Sequence, residues 1–336
     1  MADGTPPARR VRMKDVAAEA GVDPSLVSRL LSGDQSLSVR PETEARVMSA
    51  VRRLGYRRNP AARALKTART MAIGMVIPDL RNVFYSEIAQ AAEARAGAAG
   101  YVLLITGGDV RGRTEILEDR VDGLLYAIAT AEAVPRMNAP GAPPAILINR
   151  RERDAGPSVI VDDQAGVALG TRHLISLGHR WIAHIAGPLN VDTARRRRRG
   201  YLNAMAEAGL EVPPGYIAES TFDEVGGATA AAALLALDPC PTAIIAANSV
   251  AAVGAMSTVR TSGLNVPDDV SVVGLHDIPH ASYLNPPLTA VRMPLAELGS
   301  RSVDAVLGMI NGIAPGDLVV ATPPELIVRG STAAAR

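Results

Sequence analysis

The chain has 336 residues, 48% of them hydrophobic, which is long enough for two or three domains with cores of their own. Its net charge of +1 conceals an asymmetry: residues 1–70 carry 14 Lys and Arg against 7 Asp and Glu, and the remainder carries 21 against 27, so a headpiece of +7 precedes a body of −6. One cysteine, Cys240, excludes an intramolecular disulfide and a Cys-rich zinc site; without an apolar run of about 20 residues or the apolar core of a signal peptide, a membrane span is not expected and a cytoplasmic location is.

Residues 1–11 read as a disordered N-terminus in which Arg9 and Arg10 can touch phosphates. The stretch 12–35 then reads as two short helices around a tight turn. Val16, Ala17 and Ala20 share one apolar helical face. Gly21 permits the positive φ of a sharp turn, Asp23 can cap the next helix, and Pro24 suits its first position. Val27, Leu30 and Leu31 give the second helix a buried face, and Gly33 closes it. A third helix over 40–54, with Val47, Val51 and Leu54 at helical spacing, completes a core that the pair could not bury alone. This spacing fits a helix-turn-helix, whose second helix enters the DNA major groove. Pro24, Ser25 and Arg29 project opposite Val27 and Leu30, and an arginine there can contact guanine in a bidentate way. The same spacing also fits a plain helical hairpin with solvated charges.

Further residues separate the two. Met-Lys-Asp-Val-Ala, Ala-Gly-Val and Val-Ser-Arg-Leu-Leu-Ser-Gly, followed by Leu-Gly-Tyr-Arg-Arg-Asn-Pro-Ala-Ala-Arg-Ala-Leu-Lys-Thr at 54–67, resemble the headpiece and hinge of the lac repressor/galactose repressor (LacI/GalR) family. The resemblance implies a helix-turn-helix domain over 12–58 and a hinge linker over 59–70. It adds Lys14, Ser28, Tyr56, Asn59 and Ala62 to Pro24, Ser25 and Arg29 as DNA-contacting residues. It also places Leu65 at the apolar wedge that enters the minor groove and kinks the duplex, the alternative being an ordinary hinge contact. One departure is Arg12, where the family usually has a Thr capping the first helix, so that cap must come from elsewhere.

From Met71 the pattern alternates. Strands are expected at 72–77, 101–105, 123–126, 145–148, 159–161, 181–186, 216–219, 243–247 and 270–274. Helices are expected at 83–99, 113–118, 131–137, 165–177, 194–208, 225–237 and 249–262. Short apolar strands between helices predict parallel sheets covered on both faces. The fold class is therefore α/β: an all-α helix-turn-helix headpiece plus hinge helix, then two doubly wound parallel-sheet subdomains that resemble the periplasmic binding proteins. By resemblance the first effector-binding subdomain is 71–161 plus 292–318, and the second is 162–291 plus 319–330, with a last strand at 325–329. The segment after Ile105 is shorter than the family usually shows, which truncates the helix that follows.

Ligand sites of such sheets lie at the carboxyl ends of their strands. Family positions there imply Phe84, Tyr85 and Phe222 as apolar or stacking walls, with core packing as the alternative, together with Asn149, Arg150, Thr193, Arg197, Asn248 and His276. Helical geometry lets only one or two of the five arginines at 195–199 face the cleft. Asn149, Ser249 and His276 each stand where the family commonly has Asp, which makes the cleft more basic. Of the effectors open to it, a sugar, a sugar acid or a heterocycle, this favours one that carries a carboxylate, a phosphate or a heterocyclic acceptor, with a neutral sugar as the alternative. His276 is expected to titrate near neutral pH, so that an anion binds more tightly as pH falls.

The resulting expectation is a transcriptional regulator, a homodimer on a palindromic double-stranded operator, with a small-molecule effector, no cofactor and no metal. His276-Asp277-x-x-His280 lacks the further ligands a metal site needs. An enzyme is disfavoured because the Gly-x-Ser-x-Gly elbow and the Walker motif are absent, and a transport-type binding protein is disfavoured by the headpiece.

Overall fold

The computed structural model describes residues 11–32, 34, 36–56, 69–107, 113–128, 137, 139–152 and 154–336. Residues 1–10, Gly33, Asn59, Ala62, Leu65 and nearly all of the helix expected at 131–137 lie outside the described residues. The chain divides into two compact units, Met1–Thr70 and Met71–Arg336.

In the first unit, helices α1 (Met13–Ala20), α2 (Pro24–Ser32) and α3 (Pro41–Leu54) enclose Val16, Ala17, Ala20, Val27, Val47 and Ala50. Gly21 ends α1 in the left-handed region, at φ 62°, which returns the chain sharply into α2. The Asp15 carboxylate accepts the Arg12 N–H at 2.7 Å, so the first turn of α1 draws a cap from within the helix. Asp23 accepts the Ser25 N–H at 2.7 Å and caps α2.

The second unit holds two six-stranded sheets. The first contains β1 (Ala72–Ile77), β2 (Val102–Gly107), β3 (Gly123–Tyr126), β4 (Ala145–Ile148), β5 (Ser158–Ile160) and β11 (Leu318–Val319), in the order β11-β5-β4-β3-β1-β2. The second contains β6 (Ile182–Ala186), β7 (Ile217–Glu219), β8 (Ala243–Ala246), β9 (Ser271–Leu275), β10 (Thr289–Arg292) and β12 (Glu325–Ile327), in the order β12-β10-β9-β8-β6-β7. Both are doubly wound: the first strand of each has its successor on one side and the third on the other, which opens a crevice at its carboxyl end. Strands β1, β3, β4, β6, β8 and β9 are buried along their whole length, as a sheet covered on both faces requires.

Three features differ from the sequence reading. Strand β12 pairs antiparallel with β10, so the second sheet is mixed. Strands β10 and β11, and helix α10 (Leu295–Ile310), carry no expectation; α10 lies against α4 (Phe84–Ala98), where Gly299 leaves no room for a Cβ beside the Ile88 carbonyl. Strand β11 spans 318 and 319, so the boundary expected there cuts through it. Among the described residues the chain passes between the sheets after β5, after β10 and after β11, and no helix is long and apolar enough to cross a membrane.

Candidate functional site

On α2, Pro24, Ser25 and Arg29 are exposed and Ser28 is half-buried, while Val27 is fully buried beneath them. Lys14 on α1 is exposed, and Tyr56 packs against the headpiece core. Arg29 is not free: its Nε donates to Asp34 at 2.8 Å and its Nη2 to the Ser36 hydroxyl at 3.3 Å. The Ser36 and Arg29 contacts hold the Asp34 carboxyl down at about 2. A planar guanidinium gripped along one edge keeps its remaining N–H groups in a fixed direction.

In the body, all nine expected effector residues converge at the strand ends, joined by Asn82 and Ile148. They enclose a cavity of about 30 Å³. That volume holds little more than a water, well short of the roughly 300–1,000 Å³ of a small-molecule pocket. Phe84 lies edge-on to Tyr85, with ring centroids 4.8 Å apart, and 4.4 Å from the His276 ring. The Phe222 ring lies under the Arg197 guanidinium, 5.4 Å away.

Arg197 is 4% exposed and sits on α7 (Asp192–Glu207). It donates through Nε to Asp163 at 2.7 Å, through Nη1 to the Ala247 carbonyl at 2.9 Å and through Nη2 to His276 Nε2 at 2.9 Å. Three of its five donors are thereby used and two remain. Arg196, its neighbour, donates to Asp163 at 2.6 Å through the other carboxylate oxygen. Burial pushes the Asp163 carboxyl up, but Arg197 and Arg196 outweigh it and hold the group below its ordinary 3.8. Of the arginines at 195–199, only these two turn inward. Gly200 makes this possible: a side chain there would strike the Gln164 carbonyl on α6 (Asp163–Ser176) and lift α7 away.

His276 does not behave as the sequence suggested. Burial, and then the Arg197 charge, push its pKa well below the ordinary 6.5, so the ring stays neutral across the physiological range. Arginine has no acceptor, so His276 Nε2 is the lone-pair nitrogen and the proton sits on Nδ1, which is buried without a partner. The backbone of His276 is left-handed, φ 72°. It is held there by its N–H on the Val291 carbonyl at 2.8 Å and by the Ser249 hydroxyl donating to its carbonyl. Ser249, where the resemblance leads one to expect Asp, thus fixes the His276 backbone.

The three asparagines of the cleft each accept a backbone N–H through the amide oxygen. Asn82 Oδ1 accepts the Phe84 N–H at 3.1 Å, Asn149 Oδ1 the Val161 N–H at 3.3 Å, and Asn248 Oδ1 the Ala251 N–H at 2.7 Å. Asn248 also spends one of its amide hydrogens on the Phe222 carbonyl at 2.9 Å. Arg150 donates to the Ala127 carbonyl at 3.1 Å and lies beside Tyr85, whose hydroxyl burial pushes to a higher pKa against the pull of Arg150. Thr193, 4% exposed, stands in the first turn of α7. Among the described residues no three His, Cys, Asp or Glu side chains gather to hold a metal.

The family profile "Bacterial regulatory proteins, lacI family" matches residues 12–59, and "Periplasmic binding protein-like domain" matches 171–332. The ribose operon repressor of Escherichia coli (strain K12) is 35% identical over 328 residues, covering 95% of this chain and 99% of that protein. The chain belongs to the lacI family of bacterial regulatory proteins. As a lacI-family member it is a DNA-binding transcriptional repressor controlled by a small-molecule effector, and not an enzyme. The HTH-type transcriptional repressor PurR of Pasteurella multocida (strain Pm70) is 32% identical, covering 95% of this chain and 98% of that one. Among solved structures, the lac repressor dimer bound to operator and the anti-inducer ONPF matches with TM-score 0.85 at 30% identity, covering 97% of this chain and 100% of that chain. The CelR–cellobiose complex matches with TM-score 0.73 at 29% identity, covering 96% and 100%.

Within this lacI-family cleft, sequence reasoning missed Asp163, Arg196 and Asn82. Asp162-Asp163 directly after a strand was the available signal for the first, since a carboxylate at a helix start opposite an arginine run invites pairing.

Proposed function

We propose that the chain binds a palindromic operator as a homodimer and responds to a small, acceptor-rich effector, a sugar acid or an oxo-substituted heterocycle. The headpiece contacts would be Lys14, Pro24, Ser25, Ser28, Arg29 and Tyr56, with Asn59, Ala62 and Leu65 of the hinge. Solvent exposure of Pro24, Ser25 and Arg29 on one face of α2 supports this assignment. A helix-turn-helix reads only a few base pairs, so two copies on matching half-sites supply specificity. The lac repressor is a dimer on its operator. On this chain the edge strand β2 exposes Val102, Leu104 and Ile105, an apolar edge that a second copy would cover.

The effector class rests on one observation: the cleft presents donors. All three amide oxygens are used by backbone, Arg197 keeps two N–H groups, and His276 Nδ1–H has no partner. A ligand with carboxylate or ring carbonyl oxygens satisfies such a wall better than one rich in hydroxyl donors. Phe84 and Phe222 flank its flat or apolar part. Relatives bind cellobiose and, in a lacI-family regulator from Enterococcus faecium, ribose, so neutral sugars are the comparison set.

Calorimetry tests the reading with D-ribose and cellobiose against an aldonate, a hexuronate and an oxopurine. The acceptor-rich ligands should bind more tightly, lose affinity in Arg197→Ala, and show no His276-linked dependence between about pH 5.5 and 8. Micromolar binding of a neutral sugar that survives Arg197→Ala would overturn it.

A further inference from the structure

The residues that line the cleft alternate along the chain with residues that do not touch it. Asp192 precedes Thr193, Arg196 precedes Arg197, and Arg151 follows Arg150; the second of each named pair lines the cavity in the first two cases, and Arg150 does in the third. The interleaved set makes its own bonds, and those to main-chain groups cross between the two sheets. The Arg151 N–H, at the end of the first sheet's β4 loop, donates to Asp192 Oδ2 at 3.1 Å. Arg196 Nη2 donates to the Asn149 carbonyl at 3.3 Å, and Arg196 Nη1 to the Val161 carbonyl at 3.0 Å. Both carbonyls follow strands of the first sheet, whereas Asp192 and Arg196 lie on α7 beside the second. Arg196 Nε closes the set on Asp192 at 2.9 Å, and its Nη1 reaches Asp163 at 2.6 Å.

We propose that Asp192 and Arg196 form a clasp that holds the two sheets in one relative orientation without using any atom of the effector. Arg196 is a positioning residue. Its guanidinium satisfies two main-chain carbonyls that the first sheet leaves open at its strand ends, in a half-buried setting where charge-assisted bonds are strong. It also shares Asp163 with Arg197, one oxygen to each, so a ligand that draws Arg197 aside changes the partner of the clasp directly. Two positions set one residue apart on a helix point about 100° from each other, which is how α7 serves the ligand with one side chain and the opposite subdomain with the next. The consequence is a built-in bias toward one orientation before ligand arrives, the quantity that decides how much ligand binding can shift.

The inference rests on the cleft being the effector site, but its test needs no effector. Hydrogen exchange on the full-length, ligand-free protein reads the clasp at the Arg151 amide, whose bond to Asp192 crosses between the sheets. The Ala165 amide, bonded to Asp162 within one element, serves as the control. Arg196→Ala should speed exchange at Arg151 by about tenfold or more, the change expected on losing charge-assisted bonds, and leave Ala165 unchanged. Arg196→Lys should restore protection in part, which a general loss of packing would not. Asp192→Ala, which leaves the Asp163 pair intact, provides a second route to the same opening. The ligand-free operator affinity of both alanine variants should shift, in either direction, by about fivefold or more. Unchanged exchange at Arg151 in both variants, or faster exchange with unchanged operator affinity, would overturn the proposal.

Discussion

The residues proposed to contact DNA and those proposed to contact an effector stand in opposite environments. On α2, Pro24, Ser25 and Arg29 stand in solvent, while a separate set, with Val27 fully buried among it, holds the three helices together. In the cleft most of the proposed contacts are themselves buried: Asn149 and His276 are 3% exposed, Thr193 and Arg197 4%, while Phe84, Arg150 and Phe222 are half-buried. Arg197, Asp163 and His276 bond one another and the backbone before any ligand arrives. On the proposed assignment the headpiece separates recognition from stability, and the cleft joins them. A substitution in the first should change binding alone; one in the second should change binding and folding together.

The largest effect expected from that difference is in Asp163→Ala. It removes the one carboxylate between two inward arginines and should cost about 3–5 kcal/mol in unfolding experiments. Because Asp163 is held below its ordinary 3.8, the stability it contributes is present above that value and disappears as pH falls through the folded-state pKa. The gap between wild type and variant should therefore close in acid; a gap that persists there would show that packing, not charge, carries the loss. Next comes His184, fully buried, its Nδ1 bonded to the Ile245 carbonyl at 2.9 Å, with a pKa pushed down from 6.5 to about 4 by burial. The unfolded chain takes up a proton first, so this contribution is complete above 6.5, falls as pH drops and levels off below about 4, a loss of about 3 kcal/mol. His184→Gln, which does not titrate, should flatten that part of a urea-denaturation profile. The headpiece, which holds none of the five histidines, should add nothing in this window. Equal profiles for wild type and variant would place the acid lability elsewhere.

Smaller effects test the other half. Arg29→Ala should weaken specific operator binding by about 1–3 kcal/mol and relax one base position, while unfolding changes by less than about 0.5 kcal/mol. A matching drop in thermal stability would mean that the Arg29–Asp34 pair is structural and would break the separation. The smallest is Arg12→Thr. A side chain that can accept at the helix start should stabilise the headpiece by about 0.5–1 kcal/mol, read as a higher melting temperature; no gain would show that the Asp15 cap is already sufficient.

How much of this was legible follows the same division. The strands at Ala72–Ile77, Gly123–Tyr126 and Ala145–Ile148 are continuous apolar runs, and such runs announce themselves because both faces are covered. Strands β10 and β11 are two to four residues long and are defined by their neighbours, which a single sequence does not reveal. The antiparallel turn of β12 depends on where the chain returns. In the cleft, positions were legible and states were not. His276 could be named from its place in the chain, but its neutrality depends on burial by the folded cleft and on Arg197, 79 residues away. The orientation of Asn149 likewise depends on the Val161 N–H, and the role of Asp163 on two arginines more than thirty residues on.

The five consecutive arginines at 195–199 are identical letters with unlike duties: Arg195, Arg198 and Arg199 face solvent, Arg196 is half-buried and Arg197 is buried. Any one of the five could be deleted and the resulting text would be the same. Yet everything after the deletion would rotate by about 100°, and Gly200 would leave its place against Gln164. What the run encodes is therefore a spacing between Thr193 and Gly200, an interval measured in residues, which a substitution at the exposed Arg198 or Arg199 keeps and a change of length does not.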